Sequence, residues 1–170
     1  MGRIRLGVLI VLLCVCLVSC GSGVKFSDYR GRELSAEVEY YVDGELYFRG
    51  AVDIGAICGD VRDISVALTA PEALRGVIIS RARGEMKAYV GEREMNGEAF
   101  SAIIEGCELL APIGEVLRIE KRNAFGGRYI TAFLSTGEEI YFDTESEAPV
   151  EVRRGRERIA VKNFKVDYGK

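Results

Sequence analysis

Histidine and tryptophan are both absent from this 170-residue chain, and proline occurs only three times. Without histidine there is no Ser–His or Cys–His nucleophile pair and no imidazole metal ligand, which closes most hydrolase templates. Positive charge is in short supply too. The 23 Lys and Arg stand against 26 Asp and Glu, a formal charge of −3, so the electrostatic footprint of a nucleic-acid binder is missing. There is no internal repeat and no low-complexity tract. The 48% apolar and 29% charged residues are those of an ordinary globular protein, and the length suits one domain.

The long hydrophobic run is N-terminal. Arg3 and Arg5 precede Leu6 to Val18, which is apolar except for Gly7. The run is short for a membrane span of about 20 residues but suits the core of a signal peptide. It closes on Leu17-Val18-Ser19-Cys20, followed by Gly21-Ser22-Gly23. This ending resembles the lipobox of bacterial lipoproteins: small Ser19 before the cut, and Cys20 as acceptor of a diacylglycerol on its sulfur. The resemblance implies a signal peptide over residues 1–19 and a lipid anchor at Cys20. The protein would then sit on the extracytoplasmic face of a bacterial cell membrane. Cys14 and Cys16 would leave with the signal, so the remaining thiols are Cys58 and Cys107. Export permits a bridge between them, but two unpaired thiols are the expectation.

Residues 20–32 read as a polar tether and 33–170 as one β-rich domain. Alternation of period two dominates. Ala36, Val38, Tyr40 and Val42 point one way, and Glu37, Glu39, Tyr41 and Asp43 the other; Asp43-Gly44 then separates this run from Leu46 to Ile54, a strong hairpin signal. Further strands are expected at 64–70, 77–83, 86–90, 129–134, 139–143, 150–153 and 156–163, with one turn at Gly84-Glu85. Phe125-Gly126-Gly127 reads as a turn rather than a phosphate loop. Pro71 to Gly76 reads as one helical turn. Helices are expected over 98–110 and from 112 or 113 to 121, where Ile113, Val116, Leu117 and Glu120 follow i, i+3, i+4, i+7 spacing. The sum is an α+β fold: a meandering antiparallel sheet with helices against one face.

The order of a lipobox, a hairpin meander, the turn Thr69-Ala-Pro-Glu-Ala-Leu-Arg-Gly76, a helical insert and the acidic turn Asp143 to Pro149 resembles small clostridial-type lipoproteins of the LolA/LolB-like superfamily. Related chains commonly carry Gly where Ala148 stands. The resemblance implies a strongly curved, unclosed β-barrel with helices on its concave face and an apolar cavity inside. It adds weight to binding something apolar and carries over no functional residue.

The candidate chemistry is thin. Asp143, Glu145 and Glu147 have the alternate spacing of a calcium loop, but Ala148 and Arg154 stand where it needs Gly and a closing acid. No metal or cofactor is expected. Arg153, Arg154, Arg156 and Arg158 could face anionic headgroups, yet interleaved Glu151 and Glu157 favour edge protection. The leading expectation is therefore a non-catalytic, membrane-anchored lipoprotein. Its groove would hold an acyl chain or a partner's hydrophobic segment against Val38, Tyr40, Phe48, Val52, Val66, Leu68, Ile79, Phe133, Ile140 and Phe142, selected by strand parity. The rival is an adaptor in envelope or spore-coat assembly that binds a protein through Tyr41, Tyr47 and the sheet edge.

Overall fold

A computed structural model describes residues 29–57 and 62–167. Ser19, Cys20 and Cys58 lie outside the described residues.

Alternating sequence becomes eleven strands: β1 (Glu33–Val42), β2 (Glu45–Ile54), β3 (Ile64–Ala70), β4 (Val77–Ala82), β5 (Glu85–Val90), β6 (Arg93–Asn96), β7 (Val116–Ala124), β8 (Gly127–Leu134), β9 (Glu139–Asp143), β10 (Pro149–Arg154) and β11 (Glu157–Asp167). All pair antiparallel in one sheet of order β6-β5-β4-β3-β2-β1-β11-β10-β9-β8-β7. Two hairpin meanders thus meet where the first strand pairs with the last. The sheet is not closed, since β6 and β7 form its two ends. One α-helix, α1 (Ser101–Glu108), lies in the link between those ends, preceded by a 3₁₀ turn at Gly97–Phe100.

The hairpins form where residues tolerate left-handed backbone. Asp43-Gly44, Arg83-Gly84 and Phe125-Gly126 each have positive φ at both positions, the twist that matches right-handed strands. The β4–β5 turn therefore falls one residue earlier than Gly84-Glu85.

Five ladders each carry one extra residue: Tyr47 in β2, Thr69 in β3, Leu117 in β7, Val150 in β10 and Asn163 in β11. Such bulges bend and twist a sheet. The bending is substantial. Eleven flat strands would span about 48 Å, whereas an eight-residue helix is about 12 Å long. Yet residues from β1 through β5, from β8 through β11 and from α1 all share one buried cluster. The sheet curls around the helix.

Two expectations are corrected. The described residues hold one α-helix, not several, so helices do not line the inner face. The stretch expected to be helical from 112 or 113 to 121 is instead β7. Leu117 is its extra residue, which turns Val116 and Ile119 to the same side three positions apart. A bulged strand thereby imitates helical spacing. The packed region also begins upstream of Glu33. Tyr29 is buried and donates to the Leu110 carbonyl at 2.8 Å, and Arg30 donates to the Gly114 carbonyl at 2.7 Å.

Candidate functional site

Nine of the ten parity-selected residues lie in the inner cluster: Val38, Tyr40, Phe48, Val52, Val66, Leu68, Ile79, Ile140 and Phe142. They are packed rather than open. Gly106 of α1 faces Tyr40 and Phe48 so closely that a Cβ there would sit 3.0 Å from the Tyr40 ring and 3.2 Å from that of Phe48. The helix fills the space where a groove was expected along these strands. Phe133 is a correction. It pairs with Glu139 while its neighbour Ala132 pairs with Ile140, so Phe133 faces outward, under the guanidinium groups of Arg118 and Arg122 at 4.1 and 4.5 Å. Strand β8 carries large apolar residues on both faces, and parity alone could not choose between them.

Tyr41 and Tyr47 do not share a surface. Tyr41 lies on the outer face beneath Arg158, 4.0 Å away, and its hydroxyl donates to Glu39 at 2.7 Å. Tyr47 is a bulge residue stacked edge-on to Tyr40, with centroids 6.0 Å apart. The acidic turn is held by Asp143, whose carboxylate accepts the amides of Glu145 at 3.0 Å and Ser146 at 2.8 Å. Those bonds hold its pKa below the usual carboxylate range. The carboxylate is thus committed to shaping the loop. The arginine set is likewise engaged with acids: Arg153 and Arg158 with Glu151, and Arg154 with Glu157.

Room remains on the inner side at the far end of the helix. After Glu108 the chain tightens through Leu109, Leu110 and Ala111, whose amides bond back to Gly106, Cys107 and Glu108, until Pro112 stops it. Between this segment and the ends of β2 and β3 lies a cavity of about 350 Å³, near the lower limit for small-molecule sites. Ile54 and Ile64 line one side, and Leu109, Ala111, Pro112 and Ile113 the other.

Charged groups complete the lining. Arg62 donates to the Ala111 carbonyl at 2.9 Å, and Arg81 pairs with Glu108 at 2.5 Å. Opposite them, buried Glu138 accepts from Thr136 and lies 3.8 Å from Arg154. Arg154 in turn holds Glu157 at 2.8 Å, and Glu157 accepts the Tyr40 hydroxyl. These bonds keep the Glu157 carboxyl low, chiefly through Arg154, while burial and Glu157 push the Tyr40 phenol upward.

None of Arg62, Arg81 or Glu138 stood out in the sequence. They come from a loop, from β4 and from the β8–β9 turn, and no local spacing connects them. A second, wider groove of about 660 Å³ opens at the ends of β1 to β4 and β11, with Glu33, Asp53, Asp63, Arg81 and Lys165 among its walls. Cys107 is a free thiol fully buried against the sheet, and burial raises its pKa, so it is protected from attack.

The arrangement defines a curled antiparallel sheet with a small amphipathic cavity beside its strap helix. No family model matches the chain, and no curated protein matches it. Solved structures similar to it include MucB, at 10% identity over 85% of this chain, with a TM-score of 0.48. The chain spans 57% of the length of MucB. An uncharacterized conserved protein from Thermus thermophilus is similar at 15% identity over 82% of each chain, TM-score 0.44. A putative outer membrane lipoprotein-sorting protein domain from Vibrio parahaemolyticus is similar at 10% identity over 82% of this chain and 87% of that one, TM-score 0.37. These likenesses concern the path of the chain and assign no activity.

Proposed function

We propose that this protein is a non-catalytic binding module, held on the extracytoplasmic face of the membrane by a lipid on Cys20. Its cavity beside the end of α1 takes an acyl chain or the hydrophobic segment of a partner. The observation that carries this reading is the cavity itself. Ile54, Ile64, Leu109 and Ile113 offer an apolar wall, while Arg81 and Arg154 can meet a polar or anionic end. The location differs from the groove expected from parity, because α1 covers those strands.

Native mass spectrometry of the protein purified from cells tests the cavity. The expected result is a bound acyl-sized mass that disappears in Ala111→Phe, which places a ring in the space. A protein that carries no such mass and does not retain added lauric acid would overturn the reading. The anchor is tested by labelling cells with an alkyne fatty acid. Cys20→Ser loses the label, because a hydroxyl cannot replace the thiol that attacks the lipid donor. Cys58→Ser keeps it. Equal labelling of wild type and Cys20→Ser would sink the anchoring half of the proposal.

A further inference from the structure

Charge around the cavity beside α1 is balanced. Arg62 from the loop before β3, Arg81 from β4 and Arg154 from β10 line it, together with Glu108 of α1 and Glu138 of the β8–β9 turn. Arg81 is paired with Glu108, and Arg154 lies between Glu138 and Glu157. Counting Glu157, three positive charges meet three negative ones. The neighbouring wider groove shares Ile54, Ile64 and Arg81 with the cavity, and adds Glu33, Asp53, Asp63 and Asp167 against Lys165 alone. No surplus of positive charge is therefore on hand for a ligand's carboxylate or phosphate. A donor is left over all the same. Nε of Arg81 is buried without a hydrogen-bond partner among the described residues, a condition that a neutral carbonyl relieves without adding charge.

We infer, on the cavity reading given above, that the ligand is a single acyl chain whose head is an uncharged ester or amide, not a free acid. A space of about 350 Å³ takes one chain, not the several of a membrane lipid. Ile54, Ile64, Leu109 and Ile113 hold its methylenes. The carbonyl of the head accepts from an arginine, and its hydroxyl or N–H donates to Glu138, so both signs of the wall are used. A carboxylate fares worse. Whatever it gains from an arginine is opposed by the glutamate which that arginine already holds, and it enters as an uncompensated charge whose burial is costly. A cationic head meets the same difficulty against Arg62, Arg81 and Arg154.

The test uses the purified full chain, stripped of bound acyl material, at pH 8. Its probes are monolauroylglycerol, lauric acid and dodecyltrimethylammonium, which share a chain length and differ in head charge. Titration calorimetry reads affinity, and hydrogen–deuterium exchange over residues 109–113 reads position. Monolauroylglycerol binds at least about tenfold more tightly than either charged probe and slows exchange there. Glu108→Gln, at a half-exposed position, releases Arg81 from its pair. Lauric acid then gains affinity, and the preference for monolauroylglycerol falls about tenfold. Glu138→Gln, which keeps an acceptor for Thr136, moves the preference the same way. Misfolding cannot produce a gain in lauric acid. Lauric acid or dodecyltrimethylammonium binding the wild type as tightly as monolauroylglycerol overturns the inference and leaves the cavity reading in place, as does a preference unchanged in both variants. Failure of all the probes to bind overturns the cavity reading itself, and the inference with it.

Discussion

The two meanders share one inner cluster but finish their outer faces differently. Across the first, one outer row runs Ser35, Asp53, Ser65, Ser80 and Lys87, and the next Glu37, Ala51, Ala67, Ile78 and Tyr89. These are mostly small side chains open to water. Across the second, the rows read Arg118, Phe133, Glu139, Arg153 and Arg158, then Glu120, Thr131, Tyr141 and Glu151. There the guanidinium groups roof the rings, with Arg153 4.6 Å from the Phe125 centroid and 5.5 Å from that of Tyr141. Phe133, Tyr141, Thr131 and Glu151 are buried beneath them. Charge divides the same way. Residues 29–110 carry nine Lys and Arg against fifteen acids, while 111–170 carry eleven against ten. A single-layer sheet can be protected by a helix on one face and by stacked cations on the other. The helix packs on β3 and β4 of the first meander, and most of the stacked cations lie over the second.

Removing a ring from each half measures that difference. Phe48→Ala, which empties the space under α1, costs about 3–5 kcal/mol in urea denaturation. Phe133→Ala, on the roofed outer face, costs about 2 kcal/mol. Equal losses would show that the arginine roof packs as tightly as the helix. Gly106→Leu is comparable to the second of these. It drives a side chain into Tyr40 and Phe48 and costs about 1–3 kcal/mol; a neutral result would show that α1 can lift from the sheet.

The smallest effect is a pH dependence. Glu157 has a lowered folded pKa, so its contribution is present above the ordinary value of 4.5 and lost as pH falls through the folded one. Tyr40 has a raised pKa, so its contribution is present below 10.0 and lost as pH rises beyond it. Melting temperatures across pH should therefore drop at both ends. Glu157→Gln flattens the acid limb and Tyr40→Phe the alkaline limb. Unchanged limbs would remove this pair from the balance.

The first meander was largely legible from the chain because its alternation is clean and Asp43-Gly44 marks the hairpin. The second was less so. Leu117 breaks the period of β7, Phe133 and Leu134 offer two apolar faces in succession, and β6 has no apolar alternation to detect. The cavity was not legible at all, since Ile54, Arg81, Ala111 and Glu138 meet only through the curl of the sheet. Bulges create that curl, and a bulge is one residue without a reliable signature.

The pairing of β1 with β11 has a kinetic consequence. Every other ladder joins strands adjacent in sequence and can close over a short loop. Glu39 and Ala160, by contrast, meet across nearly the whole described chain. The two meanders can zip locally and independently, whereas their union must close a long loop before its contacts contribute. The central seam is thus the slow step of folding, although in the finished sheet it is one of the two joins farthest from the edges.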